Sequence, residues 1–163
     1  RARVSVSVGV PPELAFQLFT AEIGLWWRRG PRFRASPGES ALMAIEPRVG
    51  GRVFESWRAG AAEQGHEIGR VLAWEPPRRF VFNWRAANFA AAEHTEVEVL
   101  FEPAEHGTRV TVTHSGFASL RPDHPVRHGK SGPAFSRELG MWWADLLRAW
   151  QRHCQVAGAD PTQ

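Results

Sequence analysis

Hydrophobic and polar residues alternate strictly from residue 3 to residue 10, with Val4, Val6, Val8 and Val10 on one side and Ser5, Ser7 and Gly9 on the other. A period of two predicts a half-buried strand. "PPELAFQLF" follows, where the prolines suit a helix start and Leu14, Leu18 and Phe19 recur at helical spacing. "AEIGLWWRRG" reads as a second short helical piece stopped at Gly30-Pro31, and 31–40 as loop. The period of two then returns, predicting strands near 41–46, 51–58, 66–75, 79–85, 95–102 and 108–115. Turn residues separate them at Val49-Gly50-Gly51, Ala59-Gly60, Glu75-Pro76-Pro77 and Glu105-His106-Gly107. Connections this short join antiparallel neighbours. Residues 116–134, rich in Gly, Pro, His and Ser, read as a mobile loop, and a long helix is expected over about 136–156.

That order predicts an α+β fold: a curved antiparallel sheet of seven strands, two short helices after the first strand, and one long closing helix wrapped by the sheet. Steps of three and four place Leu139, Trp143, Leu146 or Leu147, Trp150 and Cys154 on one helix stripe. Trp142 falls off it, and Asp145, Arg148 and Arg152 fall on the solvent side. One domain is expected over 1–158, with 159–163 as a frayed tail.

Composition narrows the function classes. The chain has 163 residues with 8 Trp and no Tyr, and the basic residues are all Arg except Lys130. The isoelectric point near 10.3 therefore overstates a formal net charge of only +3. No basic stripe interleaved with exposed aromatics emerges, so nucleic acid is not an expected partner. There is no apolar span long enough for a membrane helix and no signal-peptide block, and Cys154 stands alone; together these read as a soluble, cytoplasmic protein without membrane partner or disulfide.

Alternation also sorts candidate site residues. Phe80, Phe82 and Trp84 share a face, as do Val97, Val99 and Phe101, and Val110, Val112 and His114. His114 thus lies on an apolar face at a strand end, either as a core histidine or as a polar anchor in a cavity. The strand at 51–58 has two possible phases. If Val53, Glu55 and Trp57 face inward, Glu55 is a buried carboxylate that must be paired or protonated. On the strand expected at 66–75, His66, Ile68, Arg70, Leu72 and Trp74 share one phase, with His66 a solvated rim residue. "DHPVRH" at 123–128 has two histidines four apart, but Pro125 argues against the helix that would align them, so no metal site is expected. "GKS" at 129–131 has no leading phosphate-loop glycine, because His124 holds that position. No catalytic constellation emerges and no cofactor is implied.

In the order "PPELAFQLFT", "WW" at 26–27, "VGGRVFESW" at 49–57, "GRVLAWEPPRRFVFNW" at 69–84, "TRVTVTHSGF" at 108–117 and "GMWWADLL" at 140–147, the chain resembles a helix-grip (START-like, SRPBCC) domain. Within that class it is similar to the family named after the activator of the heat-shock protein 90 ATPase, along essentially its whole length. The resemblance implies a cavity between sheet and helix, often used for apolar or aromatic ligands, in a family many of whose members are binding domains without known catalysis. The eukaryotic namesake carries an additional chaperone-binding domain not contained in these residues, which counts against direct chaperone activation. The leading expectation is a binding domain for an apolar or aromatic small molecule, as monomer or homodimer. A chaperone-binding interaction domain and a polyketide-cyclase or aromatase-like enzyme are the alternatives. The expected site is a pocket above roughly 300 Å³ lined by Trp57, Phe82, Trp84, Val97, Val99, His114, Trp143 and Leu147, with Glu55 as a further ligand-binding candidate.

Overall fold

A computed structural model describes residues 1–30, 32–34, 41–85, 89–90, 92–121, 123–127, 129–130 and 132–158. Most of the loop expected at 31–40, His128 of the histidine pair, Ser131 and the tail at 159–163 lie outside the described residues. The elements run β1 (Ala2–Val8), α1 (Pro12–Thr20), α2 (Ile23–Trp26), β2 (Leu42–Ile45), β3 (Arg52–Ala59), β4 (Ala62–Glu75), β5 (Arg79–Trp84), β6 (Thr95–Ala104), β7 (Gly107–Ser115) and α3 (Gly132–Gly158). The seven strands form one antiparallel sheet in the order β1-β7-β6-β5-β4-β3-β2. This is the predicted α+β helix-grip architecture.

The helix α3 buries the expected stripe. Trp143, Leu146, Leu147, Trp150 and Cys154 are at most 2% exposed, while Arg148 faces solvent. Helix α1 starts on Pro11-Pro12 and buries Ala15, Phe16, Leu18 and Phe19 beneath β5 and β6, where Phe16 and Phe19 meet Phe80 and Phe101 edge-on or tilted. At Gly24 the helix α2 crosses β2 so closely that a Cβ would stand 2.8 Å from the Met43 carbonyl oxygen.

Helix α3 begins at Gly132, ahead of the expected start near 136. Gly132-Pro133 reads as loop, yet proline is preorganised for a helix's first turn, where its missing N–H costs nothing. The extra turn carries Phe135 inward onto Phe117 and Leu120, so the segment expected to be a mobile loop holds a small core of its own. Two short 3₁₀ turns, Phe117–Ser119 and Pro125–Arg127, lie in it. The Arg127 guanidinium donates to the Phe117 carbonyl at 2.7 Å.

The largest departure from simple alternation is in β4. Phe54 pairs with Glu67 but Val53 with Gly69, and Val71 pairs with Phe82 but Ala73 with Val81. Each step inserts one extra residue in β4, and each bulge flips the faces that follow. The expected common phase of His66, Ile68, Arg70, Leu72 and Trp74 is therefore corrected. Ile68 and Val71 are buried, Arg70 and Leu72 are exposed, and Trp74 returns to the core against Phe16 and Phe80. Nor is His66 a solvated rim residue: it is half-buried, with Nε2 3.3 Å from the Arg85 carbonyl oxygen.

These bulges bend the sheet around α3, and Gly69 makes the first one possible. A Cβ there would collide with the Asn83 carbonyl group, whose side-chain oxygen accepts the Arg70 N–H at 2.7 Å. Gly69→Ala is expected to cost about 2–3 kcal/mol, the upper range for overpacking, since backbone rather than a flexible side chain must move. Urea denaturation measures it, and a loss under 0.5 kcal/mol would show that the strands separate there without strain.

Candidate functional site

At one end of the sheet, strand ends and helices bring four indoles together. Trp84 closes β5 and pairs across the sheet with Thr95, the first residue of β6. His114, near the end of β7, pairs with Val97. Trp143 descends from α3, and Trp27 follows α2. The ring of Trp143 meets Trp27 at 5.8 Å, Trp84 at 6.3 Å and His114 at 5.9 Å, all edge to face. Trp27 and Trp84 stack at 28°. Trp142, expected off the buried stripe, joins this group from above. It meets Trp84 and Trp143 nearly at right angles and stacks on Phe33 at 26°.

Three of the four indole N–H groups are satisfied from within. Trp27 Nε1 donates to the Phe33 carbonyl and Trp142 Nε1 to the Arg32 carbonyl. Trp143 Nε1 donates to His114 Nδ1 at 3.1 Å. An indole N–H can only donate, so Nδ1 must be the unprotonated nitrogen. Nε2 then carries the proton toward Thr95 Oγ1 at 2.7 Å, and that hydroxyl donates to the Trp84 carbonyl. His114 is 1% exposed, and burial lowers its pKa to about 3. At neutral pH the imidazole is uncharged with both nitrogens engaged. It is a structural and orienting group, and no lone pair is left for general-base chemistry in this arrangement.

Of the residues expected to form the site, Phe82, Trp84, Val97, Val99, His114, Trp143 and Leu147 lie together in and against the main core. Phe82, Val97, Val99, Trp143 and Leu147 are at most 2% exposed, so they pack on one another, while Trp84 is half-buried at the outer margin. Trp57 is half-buried near the β3–β4 turn and, among the described residues, makes no ring contact with this group. The phase left open for Glu55 resolves inward. It is 2% exposed, and its charge supports the protonated state of Arg34, against a pKa lowered chiefly by burial. The Arg34 guanidinium donates to the carbonyls of Trp27, Arg28 and Ala41. Glu55 thus belongs to the support beneath the Trp27 segment.

Beside the indoles, the second small core of Phe89, Phe117, Leu120 and Phe135 packs against Trp84 and Leu139, and Phe117 lies 4.7 Å from the His114 ring. His124, from the suspected histidine motif, is buried under Phe89. It bonds Glu93 at 3.0 Å through Nε2 and accepts the Val126 N–H at Nδ1. Its nitrogens tie two loops together, and among the described residues no three His, Cys, Asp or Glu side chains are grouped to hold a metal. A cavity of about 340 Å³ lies elsewhere, between β1 and the C-terminal half of α3, lined by Val8, Val10, Gln151 and Cys154 among others. The Cys154 thiol there is pushed up to about 12, first by burial and then by Glu22, which leaves it protonated and unreactive.

Phe33 and Thr95 were not singled out from sequence, and Trp27 and Trp142 were noted there without a place in the site. "WW" at 26–27 and the off-stripe Trp142 were the available signals, since an indole outside the core stripe needs a second surface to lie against.

Residues 9–133 match the model of the family described as activator of Hsp90 ATPase homolog 1-like protein. No curated protein matches the chain in sequence. Among solved structures, the crystal structure of protein MLL2253 from Mesorhizobium loti is similar at 21% identity and TM-score 0.61, over 98% of each chain. The solution structure of the Aha1 dimer from Colwellia psychrerythraea is similar at 18% identity and TM-score 0.56, over 92% of each chain. DynU16, described as a putative protein in the dynemicin biosynthetic locus, is similar at 18% identity and TM-score 0.57, over 96% of this chain and 47% of that one. At these identities the likenesses establish the fold.

Proposed function

Because the chain belongs to the activator of Hsp90 ATPase homolog 1-like family, we propose that it is a helix-grip binding domain for a planar apolar or aromatic small molecule, held between the sheet and α3. One observation carries this reading: a continuous row of aromatic faces runs from Phe33 and Trp142 at the surface to Trp84, Trp143 and His114 inside. Protein groups already hold the N–H groups of Trp142 and Trp143, so what these two rings offer a guest is stacking area. Phe82, Val97, Val99 and Leu147 form its closed floor. An empty void of about 300 Å³ would cost about 7 kcal/mol, which favours a floor closed by packing and a guest seated on the half-buried outer rings.

Intrinsic tryptophan fluorescence tests the reading. Titration with 2-naphthol, corrected against a free tryptophan amide, is expected to give saturable quenching with Kd below about 100 µM, roughly −5.5 kcal/mol. Trp142→Ala, at a half-buried position, is expected to weaken it at least tenfold while the circular dichroism stays folded. Quenching that rises linearly to the solubility limit would remove the proposal.

A further inference from the structure

The surface end of the aromatic row carries charge as well as rings. Phe33 lies under two guanidinium groups, Arg28 at 4.9 Å and Arg32 at 5.0 Å from its centroid. Its ring also stacks on Trp142. Asp145, one turn along α3, takes Arg32 at 2.7 Å and Arg148 at 3.1 Å. Its carboxyl is held below the usual range first by the Arg32 hydrogen bond, and the charges of Arg148 and Arg28 add to this. Two guanidinium groups therefore share one carboxylate, and a third, Arg28, acts on it by charge alone and forms no ion pair among the described residues. Surface arginines are commonly just solvated. Here two of them lie against a ring, and the backbone at Arg32 is anchored to the helix by the bond from Trp142 Nε1 to its carbonyl. The patch is preorganised, positively charged, and continuous with the aromatic faces.

We infer that the ligand of this site is a planar aromatic acid, whose ring stacks on the Trp142 row while its carboxylate sits among Arg28, Arg32 and Arg148. The inference rests on the binding reading above and adds the chemical class of the guest. A guanidinium matches a carboxylate in plane and hydrogen-bond spacing, so the anion supplies what the neutral face of the ligand cannot. Because the groups are exposed, the advantage of the acid is modest and sensitive to salt.

The test compares 2-naphthoate with its uncharged isostere 2-naphthamide by tryptophan fluorescence at low ionic strength. The acid is expected to bind about fivefold more tightly, the scale of an exposed ion pair. That advantage should vanish in Arg28→Met, which keeps the aliphatic stem over Phe33, and shrink at 0.5 M NaCl by screening. Arg148→Met, on the other side of Asp145, gives a second reading should Arg28→Met fold poorly, and should also reduce the advantage. Equal saturable binding of acid and amide overturns the inference and leaves the binding domain standing. A preference for the acid that survives both variants also overturns it, by placing the carboxylate elsewhere. Binding of neither compound removes both this inference and the reading on which it rests.

Discussion

Lowering the pH from 7.5 to 4 is expected to cost the fold about 3 kcal/mol through His114 alone. In the unfolded chain the imidazole takes a proton near its ordinary value of 6.5; in the folded protein, burial postpones this to about 3. Between those values the unfolded state binds more protons, so stability is lost steadily as pH falls from 6.5. The loss levels off below about 3, near 5 kcal/mol in all. The bonding pattern supplies a second reason for the low value. A proton on Nδ1 would face the N–H of Trp143, which has no acceptor to offer in return. Urea denaturation across this range isolates the effect when compared with His114→Gln, whose amide can accept from Trp143 and donate to Thr95. The difference between the two pH profiles is the histidine's contribution, because the carboxylates are common to both. A folded-state imidazole that titrates above pH 5 by NMR would sink the account.

Trp143→Ala is expected to destabilise by about 3–5 kcal/mol, the range for removing a large buried aromatic. It takes away the ring that touches Trp27, Trp84, Trp142 and His114, and it leaves His114 Nδ1 buried without its donor. Against a net stability of about 5–15 kcal/mol for a domain, this brings the protein close to unfolding at ambient temperature. Trp143→Phe separates the two contributions. Most of the packing stays, the donor goes, and the expected loss is about 1–3 kcal/mol. With Nδ1 freed, the His114 pKa should also rise toward its ordinary value. Calorimetry of both variants, with NMR titration of the Phe variant, reads these effects. A Phe variant as stable as the parent, with an unmoved histidine, would reduce the indole to a space filler.

How far the sequence alone carries can be traced through particular residues. Val4 to Val10, Val97 to Phe101 and Val110 to His114 follow regular alternation, and their faces are those observed, because nothing interrupts the pleat there. In β4 the same rule fails twice. A bulge adds one residue without any hydrophobic signature, and only the Gly at 69 marks the spot, among many glycines that mark ordinary turns. Glu55 was legible as a problem but not as a solution, since its phase rests on β3 and its charge partner Arg34 comes from a distant segment. The His114 network could not be read either: its partners Thr95 and Trp143 are 19 and 29 positions away. Trp142 lies off the stripe as expected, but what it rests on was hidden for a similar reason. Helical periodicity describes a helix against one surface, and α3 has a second one, made by Trp27, Arg32 and Phe33.

The register of β1 also bears on how the chain is made. Ser5 bonds Thr111 on its neighbouring strand, 106 positions along the chain, and Ser7 receives the Gln151 amide from 144 positions away. At about 5–20 residues per second, roughly 5–20 s of translation separate the first pair. Closing so long a loop adds an entropic cost that only late contacts offset, so the pairing belongs to the slow, non-local part of folding. Throughout that interval β1 is an unpaired strand, with valines on one side and Arg3, Ser5 and Ser7 on the other. Those three residues face solvent in the finished protein too. Their polarity suits a nascent edge, which has to stay soluble until β7 is synthesised and α3 emerges to cover the valines.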